Sequence, residues 1–121
     1  MDESRPNLIV ELSLSFAVLT MEFAQALATD RKYVFSDQIL RCGTAIGAHV
    51  MEAQSAESRA DFIHKMKVAD KEARETAYWL SLCRVSPIYP NPPAGMEESL
   101  ASIRRVLSKI LGTSRRNEPA R

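Results

Sequence analysis

Seven residues between Phe62 and Cys83 settle the class of fold. Phe62, Met66, Ala69, Ala73, Thr76, Leu80 and Cys83 follow one another at alternating steps of four and three. Only an α-helix lines up such positions on one side, and this spacing belongs to helices that cross at shallow angles in bundles. A helix cannot bury its own seam. Partners of the same kind must therefore lie elsewhere in the chain.

Three further stretches supply them. Pro6 and Asn7 suit the start of a helix over about 7–29, since Pro is well placed in a first turn. One stripe there runs Ile9, Leu12, Phe16, Leu19, Phe23, Leu27, and a second runs Val10, Leu14, Val18, Met21, Ala24, Ala28. Only Glu11, Ser15, Glu22 and Gln25 mark a clearly polar strip. A helix this apolar needs cover on more than one side. Either it is central in a small monomer, or a second subunit covers Val10, Leu14, Val18 and Met21.

The next helix is expected over 37–54, after a connection at 30–35, with Ser36 as cap and Asp37 in the first turn. Its inner face is Ile39, Gly43, Ile46, Val50 and Ala53, with Cys42 beside it. Gly43 and Gly47 each cost about 1 kcal/mol relative to Ala inside a helix. They call for a close approach, either by a helix carrying Ala69 and Ala73 or by a ligand over bare backbone. The third helix, over 59–86, opens on Ser58 and Asp61, a variant of the capping box. Asp61–Lys65 and Asp70–Arg74 are acid-before-base pairs one turn apart on its outer side. Trp79 beside Tyr78 reads as packing or interface.

Four of the six prolines fall between Pro87 and Pro93, ahead of Gly95, and this segment can only be a semi-rigid connection. The last helix, over 96–112, presents Met96, Leu100, Ile103, Leu107 and Ile110, with Glu97 and Glu98 at its positive end and Gly112 as its stop. Residues 113–121 are expected to fray. Four amphipathic helices with short connections predict an all-α, antiparallel up-down-up-down four-helix bundle, a single domain over 1–121.

Composition narrows the class of function. At 121 residues and 45% hydrophobic, with 26% charged, the chain is too apolar for disorder and too charged for a membrane protein. No stretch approaches about 20 uninterrupted apolar residues, and MDESRPNLIV is acidic rather than signal-like, so no membrane contact is expected. Cys42 and Cys83 stand in no metal or redox spacing. In an antiparallel pair of helices they fall about 20 Å apart, too far for a disulfide. Buried free thiols in the cytoplasm are the expectation.

Chemistry-bearing motifs are few. There is no phosphate-binding P-loop, dinucleotide glycine fingerprint or GxSxG elbow. His64 follows Asp61 by three residues, and His49 precedes Glu52 by three, but bundles that bind two metals use Glu-x-x-His in the forward sense. A metal-binding or metal-dependent bundle built on His49, Glu52, Asp61 and His64 is the alternative reading. No catalytic residue, cofactor or metal is assigned.

The net charge of +1 hides an asymmetry. Residues 1–30 carry five acids against Arg5, a net −4, whereas residues 99–121 carry six bases against Glu118, a net +5. Acidic helix one can pair with basic helix four within or between subunits. Alternatively, Arg104, Arg105, Lys109, Arg115 and Arg116, repeated around an oligomer, can build a polyanion surface from a nearly neutral monomer.

The segment SDQILRCGTAIGAHVMEAQSAESRADFIHKMKVADKEARETAYWLSL resembles a bacterial four-helix-bundle protein family. This family includes the proteins encoded in intervening sequences of large-subunit ribosomal RNA genes. The accessory variability determinant of diversity-generating retroelements is a more distant relative. The layout matches over about residues 8–112. Members usually carry R-S-G-x-S-I-G-x-N-I-x-E-[AG]; here the run is Arg41, Cys42, Gly43, Ala45, Ile46, Gly47, His49, Val50, Glu52, Ala53. Cys42 and Ala45 replace serines, and His49 replaces Asn. The resemblance implies a cytoplasmic bundle assembling into a ring-like homopentamer, with no established catalytic activity. The retroelement relative is strongly basic and binds nucleic acid, whereas this chain is almost neutral. The combined expectation is a non-enzymatic oligomeric scaffold or adaptor. Its partners are copies of itself, RNA or DNA at the basic face, and an unidentified protein.

Overall fold

The computed structural model describes residues 7–116, with side chains as far as Thr113. Helices α1 (Leu8–Thr29), α2 (Tyr33–Gln54), α3 (Arg59–Val85) and α4 (Met96–Arg116) follow one another in the chain. Each packs against the next, and α4 closes back on α1, while α1 with α3 and α2 with α4 are diagonal. The described residues thus form an up-down four-helix bundle. Its centre is filled by Phe16, Phe23 and Leu27 of α1, Ile39 and Ile46 of α2, Met66 and Leu80 of α3, and Met96, Ile103 and Leu107 of α4.

The seam of α1 is not the most apolar line available. Ile9, Ser13, Phe16, Thr20, Phe23 and Leu27 are buried, at steps of four and three, while Leu12 and Leu19 are only half-buried. Two hydroxyls therefore sit in the core. Thr20 Oγ1 donates to the Phe16 carbonyl at 2.8 Å, and Ser13 Oγ to that of Val10 at 3.2 Å, so neither hydroxyl is left unpaired. Ser13 and Thr20 lie against Gly47 and Gly43 respectively. The glycines thus admit α1 rather than α3, and Ala69 and Ala73, fully buried on α3, are not their partners.

The start of α2 also departs from the spacing argument. The helix begins at Tyr33, four residues before 37, and Ser36 is buried inside it rather than capping it. Its Oγ donates to the Ala24 carbonyl at 2.7 Å, a side-chain bond from α2 to α1. The connection is short because α1 ends in a Schellman motif. Arg31 takes the left-handed conformation at φ 63°, its N–H bonding Ala28 while the Lys32 N–H bonds Leu27. That position usually holds Gly. Here an arginine fills it.

The predicted N-terminus of α3 is in place. Ser58 Oγ accepts from the Asp61 N–H at 3.1 Å, and Asp61 accepts in return from the Glu57 N–H at 3.2 Å. Its first buried residue is Ile63, while Phe62 is half-buried. Ser86 Oγ then accepts from the N–H groups of Ile88 and Tyr89, turning the chain into the proline segment. Tyr89 anchors this segment on Phe35, with ring centroids 4.6 Å apart, and Phe35 meets Trp79 edge-on at 4.9 Å. Gly112 does not stop α4, which continues to Arg116. Residues 117–121 of the expected frayed tail lie outside the described residues.

One expectation about membranes needs correction. By length and composition α1 is apolar enough to cross a bilayer. In this fold its Phe16, Phe23 and Leu27 are buried in the bundle.

Candidate interaction surfaces

The register between α1 and α2 follows from three contacts. Asn7 Nδ2 donates to Gln54 Oε1 at 2.7 Å, Ser13 faces Gly47, and Ser36 bonds Ala24. These antiparallel pairings place Val10 level with Met51, and Met21 level with Leu40. Leu14, Val18 and Met21 are 66%, 48% and 58% exposed, and Leu40 and Met51 are 39% and 56% exposed. Val10 is half-buried. A continuous apolar band therefore runs along α1 and α2, about 17 Å long for the eleven-residue rise from Val10 to Met21. Its central groove, about 360 Å³, is lined by Val10, Ser13, Leu14, Ala17, Thr44, Gly47, Ala48 and Met51.

The α1 half of this band was legible as Val10, Leu14, Val18 and Met21. The α2 half was not singled out, although Leu40, Thr44, Ala48 and Met51 recur at steps of four, four and three. A second exposed apolar group was missed as well. Tyr78, Leu82 and Val85 share an outer line of α3, and Ile88 follows in the connection.

The basic candidates lie on the other pair of helices. Arg104, Arg105 and Lys109 are exposed on α4. They line an open depression of about 460 Å³ floored by Ala101 and Ser108. Arg105 and Lys109 also border a groove of about 370 Å³ against Leu8 and Leu12 of α1. Arg105 Nη2 donates to Ser102 Oγ at 3.0 Å. Among the described residues no carboxylate pairs with Arg104, Arg105 or Lys109. The side chains of Arg115 and Arg116 lie outside those described.

The two most distinctive stretches of sequence meet across α2 and α3. Arg41 ion-pairs with Glu75, lies 3.4 Å from Glu72, and donates to Gln38 at 3.2 Å. Glu75 also accepts from Trp79 Nε1 at 3.3 Å. Arg74 pairs with Asp70 at 3.2 Å, as the spacing predicts. Lys65 does not pair with Asp61 but reaches Glu52 of α2 at 3.1 Å, and that carboxylate raises the Lys65 ammonium above its ordinary value.

The histidines are not gathered into a ligand set. His49 Nδ1 lies 3.5 Å from Glu52 Oε1 but makes no hydrogen bond, and His64 is exposed. Among the described residues no three His, Cys, Asp or Glu side chains are placed to hold a metal ion. Cys42 and Cys83 are free and buried, and burial pushes both thiols up.

The molecule is thus an antiparallel four-helix bundle whose open features are surfaces rather than a pocket of convergent polar groups. It belongs to the 23S rRNA-intervening sequence protein family, whose model matches residues 5–109. A solved structure from Bacteroides thetaiotaomicron, a protein of unknown function from the S23 ribosomal protein family, is 39% identical. That match covers 85% of this chain and 97% of the other, with a TM-score of 0.80. No curated protein matches the chain.

Proposed function

We propose that this protein is a non-enzymatic, cytoplasmic scaffold or adaptor that works as a homo-oligomer, a ring of five by the family resemblance. The observation that carries this reading is the apolar band on α1 and α2. Isolated exposed apolar residues are ordinary, but a continuous band the length of three helical turns is a surface for another protein. A second copy is the partner that is always present. Light scattering at micromolar concentration tests the assembly. A mass several times 13.5 kDa is the expected result, and a monomer overturns it.

The second element of the proposal is contact with RNA or DNA through Arg104, Arg105 and Lys109, with Arg115 and Arg116 beyond them. It is supported by the absence of carboxylate partners for the three described bases. Binding through such bases weakens as salt rises, because each phosphate contact releases counterions. Reversing Arg104 and Arg105 to Glu is expected to abolish nucleic-acid binding at low salt. Binding that survives the reversal, or that does not respond to salt, overturns this part and leaves a protein-only adaptor.

A further inference from the structure

We propose that the ligand of the α4 bases is a nucleic-acid strand long enough to reach two subunits, so that assembly and binding reinforce each other. The inference rests on the reading of the protein as an oligomer that contacts nucleic acid, and it specifies the size of ligand that such a surface selects.

The first observation is the separation of the two surfaces. The apolar band belongs to α1 and α2, whereas Arg104, Arg105 and Lys109 belong to α4, which packs on α1 and α3 and is diagonal to α2. Covering the band therefore leaves α4 accessible. Self-association then multiplies the basic sites.

The second observation is how small one basic site is. Arg104 to Lys109 spans about 7.5 Å along the helix axis, enough for about two phosphates of one strand. Acid bounds it on two sides. Glu98 is exposed toward the start of α4, and Glu11 and Glu22 are exposed on neighbouring α1. A strand that follows α4 toward its N-terminus, or turns over α1, meets like charge. More cation is found only on the next copy. Two or three phosphate contacts provide weak, salt-sensitive binding. Joining two such sites makes the second contact intramolecular and raises the overall affinity without new chemistry.

The spacing defines a length. A four-helix bundle is roughly 20 Å across, two helical diameters, so basic sites on adjacent copies are separated by about that distance. At about 3.4 Å per nucleotide of a duplex strand, roughly six base pairs are needed to bridge them. Mononucleotides and very short strands fall below this span. Linkage also works in reverse, since a strand that prefers the assembled form must favour assembly.

The test uses the full chain, with fluorescein-labelled RNA and DNA of about 5, 10 and 30 nucleotides at about 50 mM salt, read by anisotropy. The expected result is an affinity at least about tenfold higher for the longest strand than for the shortest. A preference between the RNA and DNA arms identifies which nucleic acid supplies the phosphates. Leu14→Glu with Met51→Glu, checked as folded by circular dichroism and as monomeric by light scattering, should lose the length dependence. Val18→Lys is the milder variant if that pair does not fold. Equal affinity for short and long strands, or length dependence that survives in the monomer, overturns the inference while leaving nucleic-acid contact standing. Absence of binding at every length overturns both.

Discussion

Thr20 occupies the space that a side chain at position 43 would need. A Cβ built on Gly43 lies 2.5 Å from Thr20 Cγ2 and 2.7 Å from its Oγ1, whereas one on Gly47 lies 3.5 Å or more from Ser13. The two glycines of one motif therefore differ in kind. Gly43→Ala should destabilise by about 1–3 kcal/mol, the usual range for overpacking a tight contact. Gly47→Ala meets only ordinary contact, and the gain in helix propensity should leave it neutral or stabilising by up to about 1 kcal/mol. Urea unfolding of both variants checks this. Adding Thr20→Ala to Gly43→Ala should recover part of the loss, a coupling that a double-mutant cycle measures.

That contact also marks how far the sequence could be read. Four helices, their order and most of their inner faces follow from apolar spacing, because burial of one stripe is what makes such helices stable. The same rule misdirects the reader at Ser13 and Thr20. A hydroxyl bonded to its own helix is a small core residue, and hydrophobicity does not reveal it. Helix ends were legible where side chains do the capping, as at Ser58, and illegible where backbone geometry does it, as at Arg31. The interaction surfaces divided similarly. The α1 half of the apolar band stood out because nearly the whole helix is apolar, while its α2 half became visible only through the register with α1.

Ser36 provides a test of the helix start. As a capping residue it would tolerate Asp or Asn, which accept the same N–H bonds. As a buried donor to the Ala24 carbonyl it cannot. Ser36→Ala should cost about 1–2 kcal/mol for the lost bond and the orphaned carbonyl. Ser36→Asp should cost more, because a buried carboxylate meets another acceptor. Thermal unfolding of the two variants separates the roles: greater stability in Asp than in Ala would show capping.

Arg41 joins α2 to α3 through Glu72 and Glu75, yet its side chain is half exposed. Solvent screening keeps such pairs weak, so Arg41→Met should cost about 1 kcal/mol or less. Lys at this position cannot reach both carboxylates with a planar fork, and Arg41→Lys should recover only part of the loss. The indole N–H of Trp79 shares Glu75, so the emission of this single tryptophan should shift in Glu75→Gln. An unchanged spectrum together with unchanged stability would show that the network does not hold α2 to α3.

The two thiols report on opening of the bundle and on its alkaline limit. Both lie above the ordinary thiol value of 9.0 because burial disfavours the thiolate. In the unfolded chain they ionise near that ordinary value, while in the fold they stay protonated to higher pH. The unfolded state therefore loses protons first. Their contribution to stability is intact below 9.0 and declines as pH rises through and beyond it. The unfolding midpoint in urea should fall more steeply above that pH for the natural chain than for Cys42→Ala with Cys83→Ala, a comparison in which the lysines and tyrosines cancel. Below it, labelling by a thiol reagent should be slow in the native protein and rise with urea in step with unfolding. Rapid labelling without denaturant would mean that α2 and α3 part locally at Cys42 or Cys83 while the rest of the bundle stays closed.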